Sequence, residues 1–144
     1  MFRGNQRTRV DEKGRLKVPS EFKRLCDELY GPQFFITSLD GEHAEIFPMQ
    51  EWEKIEAQVA TMSGPAKKRF LFAANSFGQV VEMDAQGRLL LPQALREKTM
   101  LTGDAAVLGM QTHLTVVNEE KLNRSLEAEP LTDEDLAVLA IPGL

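Results

Sequence analysis

Cysteine is all but missing from this 144-residue chain: Cys26 stands alone, so no intrachain disulfide can staple the fold. A lone thiol suits a reducing compartment and points to the cytoplasm. No apolar run approaches the ~20 residues that a membrane-crossing helix needs. The basic opening MFRGNQRTRV leads into no apolar segment and is not read as a signal peptide. Histidine is scarce as well. His43 and His113 are isolated in sequence, and neither has a partner at metal-ligand spacing, so no metal site is expected. His113 falls in a strand-like run and reads as structural.

The signatures of catalysis are absent too. Ser20, Ser38 and Ser63 have no G-x-S-x-G context, and the chain has neither a P-loop nor a Rossmann fingerprint. Cys26 lies on an apolar helix face and reads as a small core residue. The expectation is a protein that is not an enzyme, with no cofactor and no small-molecule substrate. Trp52, the single tryptophan, and the phenylalanines are read as core or subunit interface.

What the chain does have is a repeat. D-x-x-G-R-L-x-x-P occurs in VDEKGRLKVP at 10–19 and again in MDAQGRLLLP at 83–92, an offset of 73. Around the first copy the pattern is strand, K-G-R turn, strand, then a helix with Phe22, Leu25, Cys26 and Leu29 on one face. Pro19 closes the second run and Ser20 is placed to cap the helix. Two strands follow about an Asp40-Gly41 hairpin turn, then a longer helix lined by Trp52, Ile55, Val59 and Met62 and stopped at Gly64-Pro65. A short basic-aromatic piece, AKKRFLF, leads to a strand through Val80 and Val81.

The second copy repeats this order. Ala44–Phe47 aligns with Leu114–Val117 at an offset of 70, so three residues are missing in between, near the Asp40-Gly41 loop. Residues 1–64 and 65–128 are therefore read as two tandem modules, each with its helix, and 129–144 as an acidic tail. In that tail Thr132 and Asp135 have the spacing of a capping box, ahead of Leu136 and Leu139.

Charge is the last positive feature. The net charge is −5, yet its distribution is uneven. Residues 1–24 carry eight basic residues against three acidic ones, and residues 119–144 carry seven acidic against two basic. A local basic field attracts polyanions whatever the far surface carries, although a merely solvated terminus would look the same.

In the motif, Asp11, Gly14 and Pro19, with Asp84, Gly87 and Pro92, read as scaffold. The carboxylate accepts backbone N–H groups across the turn or pairs with the arginine four residues on. Arg15 is read at the tip of a projecting β-ribbon, where its fork suits phosphates and the guanine edge. Arg3, Arg7, Arg9, Lys13, Lys17 and Arg88 complete the candidate DNA-binding set. The second copy is less basic, with Gln86 for Lys13 and Leu90 for Lys17, so the first is expected to carry most of the electrostatics.

The tandem D-x-x-G-R-x-x-x-P, the MFRG start and KKRFLFAANSFGQVVEMDAQGRLLLP between the halves resemble the MraZ family, over Met1 to about Gly109. The resemblance implies an α+β fold: a pseudo-symmetric swapped-hairpin β-barrel of two tandem SpoVT/AbrB-like modules with short flanking helices. It further implies a ring-like homo-oligomer that binds short direct repeats in double-stranded promoter DNA ahead of the division and cell-wall gene cluster. That would make a cytoplasmic, nucleoid-associated regulator repressing its own operon, with DNA recognition mapping onto Asp11–Arg15 and Asp84–Arg88. The competing readings are an oligomeric AbrB-like scaffold and an antitoxin-like interaction module.

Overall fold

The computed structural model describes residues 1–144, and its elements fall into two runs of the same order. The first is β1 (Asn5–Val10), β2 (Arg15–Lys17), α1 (Ser20–Leu29), β3 (Gln33–Thr37), β4 (Ala44–Pro48), α2 (Met49–Ala60) and α3 (Pro65–Ser76). The second is β5 (Gln79–Glu82), β6 (Arg88–Leu90), α4 (Gln93–Thr99), β7 (Gly103–Gly109), β8 (Leu114–Asn118), α5 (Glu119–Ala128) and α6 (Asp133–Leu139). The repeat thus has seven elements, with α6 standing where α3 stands. Part of the difference in length falls at the β3–β4 loop: β3 and β4 are separated by 38–43, whereas β7 and β8 are separated only by 110–113.

All eight strands form one antiparallel sheet, in the order β5-β3-β4-β8-β7-β1-β2-β6, curled into a nearly closed barrel. The halves exchange strands. β1 pairs along its whole length with β7 of the other half, and β5 pairs with β3. Like pairs with like at two seams, where Leu16 faces Leu89 and Glu45 faces Thr115. These pairs are the repeat-equivalent residues at offsets of 73 and 70, so a pseudo-twofold axis passes through both. Fold class and pseudo-symmetry are as the family resemblance implies.

Burial alternates along β2 and β6, whereas β3, β4 and β8 are buried along nearly their whole length. Leu16, Leu89, Ile36, Ile46, Val107 and Val116 point into the barrel and are fully buried. Cys26 on α1 is sealed in the same core, and burial pushes its thiol up to about 12, which makes it inert. A second, smaller cluster lies outside the barrel. There Trp52 of α2 stacks on Phe35 at 4.5 Å and meets Phe47 at 5.0 Å and Phe70 of α3 at 6.2 Å.

Several local expectations change. Ser20 opens α1 but does not cap it; Pro19 takes the cap position, and no side chain bonds the free amides. Leu29 and Met62 are exposed rather than core-facing. The basic-aromatic piece is the start of a twelve-residue helix, α3, with Pro65 in its first turn. The box at Thr132 and Asp135 does form, and α6 follows it.

Candidate nucleic-acid interface

The repeated motif builds the same turn twice, atom for atom. Asp11 Oδ1 accepts the backbone N–H of Lys13 at 3.0 Å and of Arg15 at 2.9 Å, while its Oδ2 accepts from Arg15 Nε at 2.8 Å. Asp84 does likewise for Gln86 N, Arg88 N and Arg88 Nε, at 2.9, 2.9 and 2.8 Å. Both roles open to the aspartate are therefore filled at once. The Arg15 amide above all, then its side chain, holds the Asp11 carboxyl below its ordinary value, and Arg88 does the same for Asp84.

The glycines let the two turns interlock. Gly14 and Gly87 adopt φ of 83° and 78°, and each is buried. Val18 N donates to Gly87 O at 2.8 Å and Leu91 N to Gly14 O at 3.0 Å, so each turn is bonded by the strand leaving the other. A Cβ on Gly14 would run into the Arg96 guanidinium, and one on Gly87 into the Lys23 side chain. Arg96 and Lys23 are themselves repeat equivalents, a correspondence at offset 73 that was readable in the sequence but not singled out.

The shape differs from a projecting ribbon. β1 and β2 share a single register pair, Val10 with Leu16, and β2 instead lies along β6. Arg15 is therefore the first residue of a barrel strand, not a tip. Register then decides what faces out. With Leu16 and Leu89 turned inward, Arg15, Lys17, Arg88 and Leu90 project from the same side of the β2–β6 pair. Both motif arginines thus belong to one surface, at the pseudo-twofold axis, with side chains 30% and 29% exposed. Each guanidinium spends Nε on its aspartate and bonds nothing else in the chain, leaving Nη1 and Nη2 open.

β1 brings Arg9 alongside. A hollow of ≈ 440 Å³ is lined by Arg9, Arg15, Lys17 and Arg88, together with the acidic Asp11 and Glu12. Lys17 Nζ also reaches Gln86 O in the opposite turn. Lys13 is exposed in its turn. Arg7 and Arg3 do not line the hollow: Arg7 pairs with Glu119 of α5 at 3.3 Å, and Arg3 is exposed just ahead of β1. Arg9 is partly neutralised by Asp104 at 3.1 Å, a neighbour that only the β1–β7 pairing reveals. Leu90, which stands in the second copy where the first has Lys17, is the one apolar member of the outward set.

The histidines have partners after all, though no metal cluster surrounds either. His113 sits in the turn before β8 rather than in a strand, bonds Glu45 at 2.9 Å and stacks on Phe47. His43 Nδ1 meets Asp40 at 2.8 Å and its Nε2 meets Ser125 at 3.2 Å, which ties the β3–β4 loop to the middle of α5.

A pseudo-twofold barrel of exchanged hairpins, with the arginines of two identical turns brought to one basic face, defines a protein of the swapped-hairpin SpoVT/AbrB-like class. The family model described as "MraZ protein, putative antitoxin-like" matches residues 1–73 and 78–135. The chain is 60% identical to the transcriptional regulator MraZ of Acidobacterium capsulatum and 44% identical to that of Koribacter versatilis, over the full length of each. It is 36% identical to the protein of the same name from Syntrophobacter fumaroxidans, over 82% of this chain and 79% of that one. The chain belongs to the MraZ family of transcriptional regulators.

Proposed function

We propose that the outward face of the β2–β6 pair binds double-stranded DNA, and that the chain represses its own operon by binding short direct repeats there as a ring-like homo-oligomer. The observation that carries this reading is the clamped state of both motif arginines. An arginine held by Nε on an aspartate has lost its rotamer freedom during folding, so less entropy remains to be lost on binding. Its Nη1–Nη2 edge is left to fork onto O6 and N7 of a guanine or onto a phosphate. Lys13 and Lys17 supply phosphate contacts beside Arg15, where the second turn has Gln86 and Leu90. The two turns present equal arginines on unequal backgrounds, so the site is read as base-contacting on both sides and more strongly phosphate-contacting on one. Residence with the nucleoid in the cytoplasm follows from that role. Since one such face is small, several copies reading several boxes would gain affinity through avidity.

Gel shifts on the DNA upstream of the chain's own gene, over a salt series, test the reading. Arg15→Ala and Arg88→Ala should each weaken binding by roughly 1–3 kcal/mol per engaged subunit and relax specificity at the contacted base. Lys17→Ala should weaken all sequences alike and lower the salt slope by about 0.9. Wild-type affinity in both arginine variants would remove the assignment of this face.

A further inference from the structure

The equivalence of α3 and α6 in the repeat leads to a second surface. In the first half, α3 turns Phe70 and Ala74 inward onto Trp52, and its other side is bare. That side carries Lys68, Leu71, Phe72 and Asn75, at helical spacing, with Lys67 on its margin. Phe72 is 74% exposed. An open, apolar stripe of this kind with a basic border marks an interaction surface.

In the second half, α6 has no such packing. Apart from half-buried Leu136, every residue from 129 to 144 is exposed, Val138 at 85% and Leu139 at 58%. Its ends are nonetheless well defined, by the capping box at Thr132 and a left-handed Ala140. Val138 and Leu139 thus stand uncovered on a formed helix. The two counterpart helices also differ in sign: α3 holds Lys67, Lys68 and Arg69 with no acid, and α6 holds Asp133, Glu134 and Asp135 with no base.

We propose that α6 of one copy docks on the Lys68–Leu71–Phe72 stripe of α3 in the next copy, Val138 and Leu139 on Leu71 and Phe72, and the carboxylates of Asp133 and Glu134 on the lysines. The occupant is a second copy because both complementary parts lie on this chain and neither covers the other within it. Such a contact is head-to-tail: every subunit gives one α6 and accepts one, so copies add in series rather than stopping at a pair. It deepens the proposed function by naming the contact through which copies would be linked, and it rests on that reading only for its purpose, not for its existence.

The test is the mass of the full-length protein by sedimentation, without DNA, over a range of concentrations. Wild type should sediment as a multimer. Phe72→Ser should weaken self-association at least 10-fold, as should the double reversals Lys67→Glu/Lys68→Glu and Asp133→Lys/Glu134→Lys, which leave the Thr132–Asp135 capping box intact. Combining the two reversals should restore the multimer, because the charges again oppose. Circular dichroism checks that each variant is folded; since all these positions lie at the surface, wild-type spectra are expected. A single-subunit wild type, a variant mass equal to wild type, or no recovery in the combined variant would each overturn the proposal. Failure of the DNA reading leaves these masses unchanged, and Phe72→Ser should still shift a duplex carrying one box, so the two ideas fail separately.

Discussion

Asp11 and Asp84 carry more of the design than their exposure suggests. Each bonds two backbone amides and one guanidinium, and both carboxyls titrate below the ordinary aspartate range because the amides and the arginine favour the ionised form. A carboxyl whose folded pKa is depressed contributes stability that is fully present above the unfolded value of about 3.9 and is lost as pH falls through the folded one. Asp84→Asn should therefore lower the urea midpoint at neutral pH and shrink the further loss seen on acidifying below about pH 4. A variant that keeps the full acid-induced loss would show that the turn does not depend on this ionisation. The same residues argue about DNA. Removing the clamp frees the Arg88 fork without deleting it, so Asp84→Asn should weaken duplex binding less than Arg88→Ala.

At the scale of elements, α2 with α3 and α5 with α6 are the informative contrast. Trp52 is 2% exposed and enclosed by Phe35, Phe47 and Phe70, whereas its repeat equivalent, Leu122, is only half-buried. Trp52→Ala should cost ~3–5 kcal/mol, the usual range for emptying a buried aromatic site. Leu122→Ala should cost about 1 kcal/mol. Denaturation followed by circular dichroism measures both, and equal losses would deny that α3 seals the first half. The contrast also bears on what could be read in advance. The motif turn was legible because its bonds stay within four residues, so sequence spacing and spatial spacing coincide. The strand exchange was not derivable from alternation, which names the inward face of a strand but not its neighbour; it came through the resemblance. For the same reason the meeting of Arg15 with Arg88 was hidden, since it depends on a β2–β6 pairing across 73 positions. α3 runs well past the basic-aromatic piece that the sequence marks, its full length masked because aromatic and small residues, FLFAANSF, weaken the polar half of its periodicity.

At the scale of the molecule, the exchange makes the halves interdependent. β1 has its long partner in β7, β5 has its partner in β3, and the two seams pair β2 with β6 and β4 with β8. Neither half alone can close a sheet, and the 19-residue core draws on both, with Leu16 beside Leu89 and Ile36 with Val107. Unfolding should therefore be a single cooperative event despite the visible duplication. The chain provides its own probe: Trp52, the only tryptophan, lies in the first half, whereas far-UV ellipticity reports helices from both. If the repeats were independent units, fluorescence would follow the first alone and ellipticity would show two steps with different midpoints. Strand exchange predicts coincident fluorescence and ellipticity curves in urea, with one midpoint and one slope. It predicts further that Leu89→Ala, in the second half, moves the Trp52 transition as far as the ellipticity transition, by ~2–5 kcal/mol for a fully buried leucine. A Trp52 curve left in place while ellipticity shifts would break the interdependence, and with it the account of why the turn is written twice: each copy completes the half that the other begins.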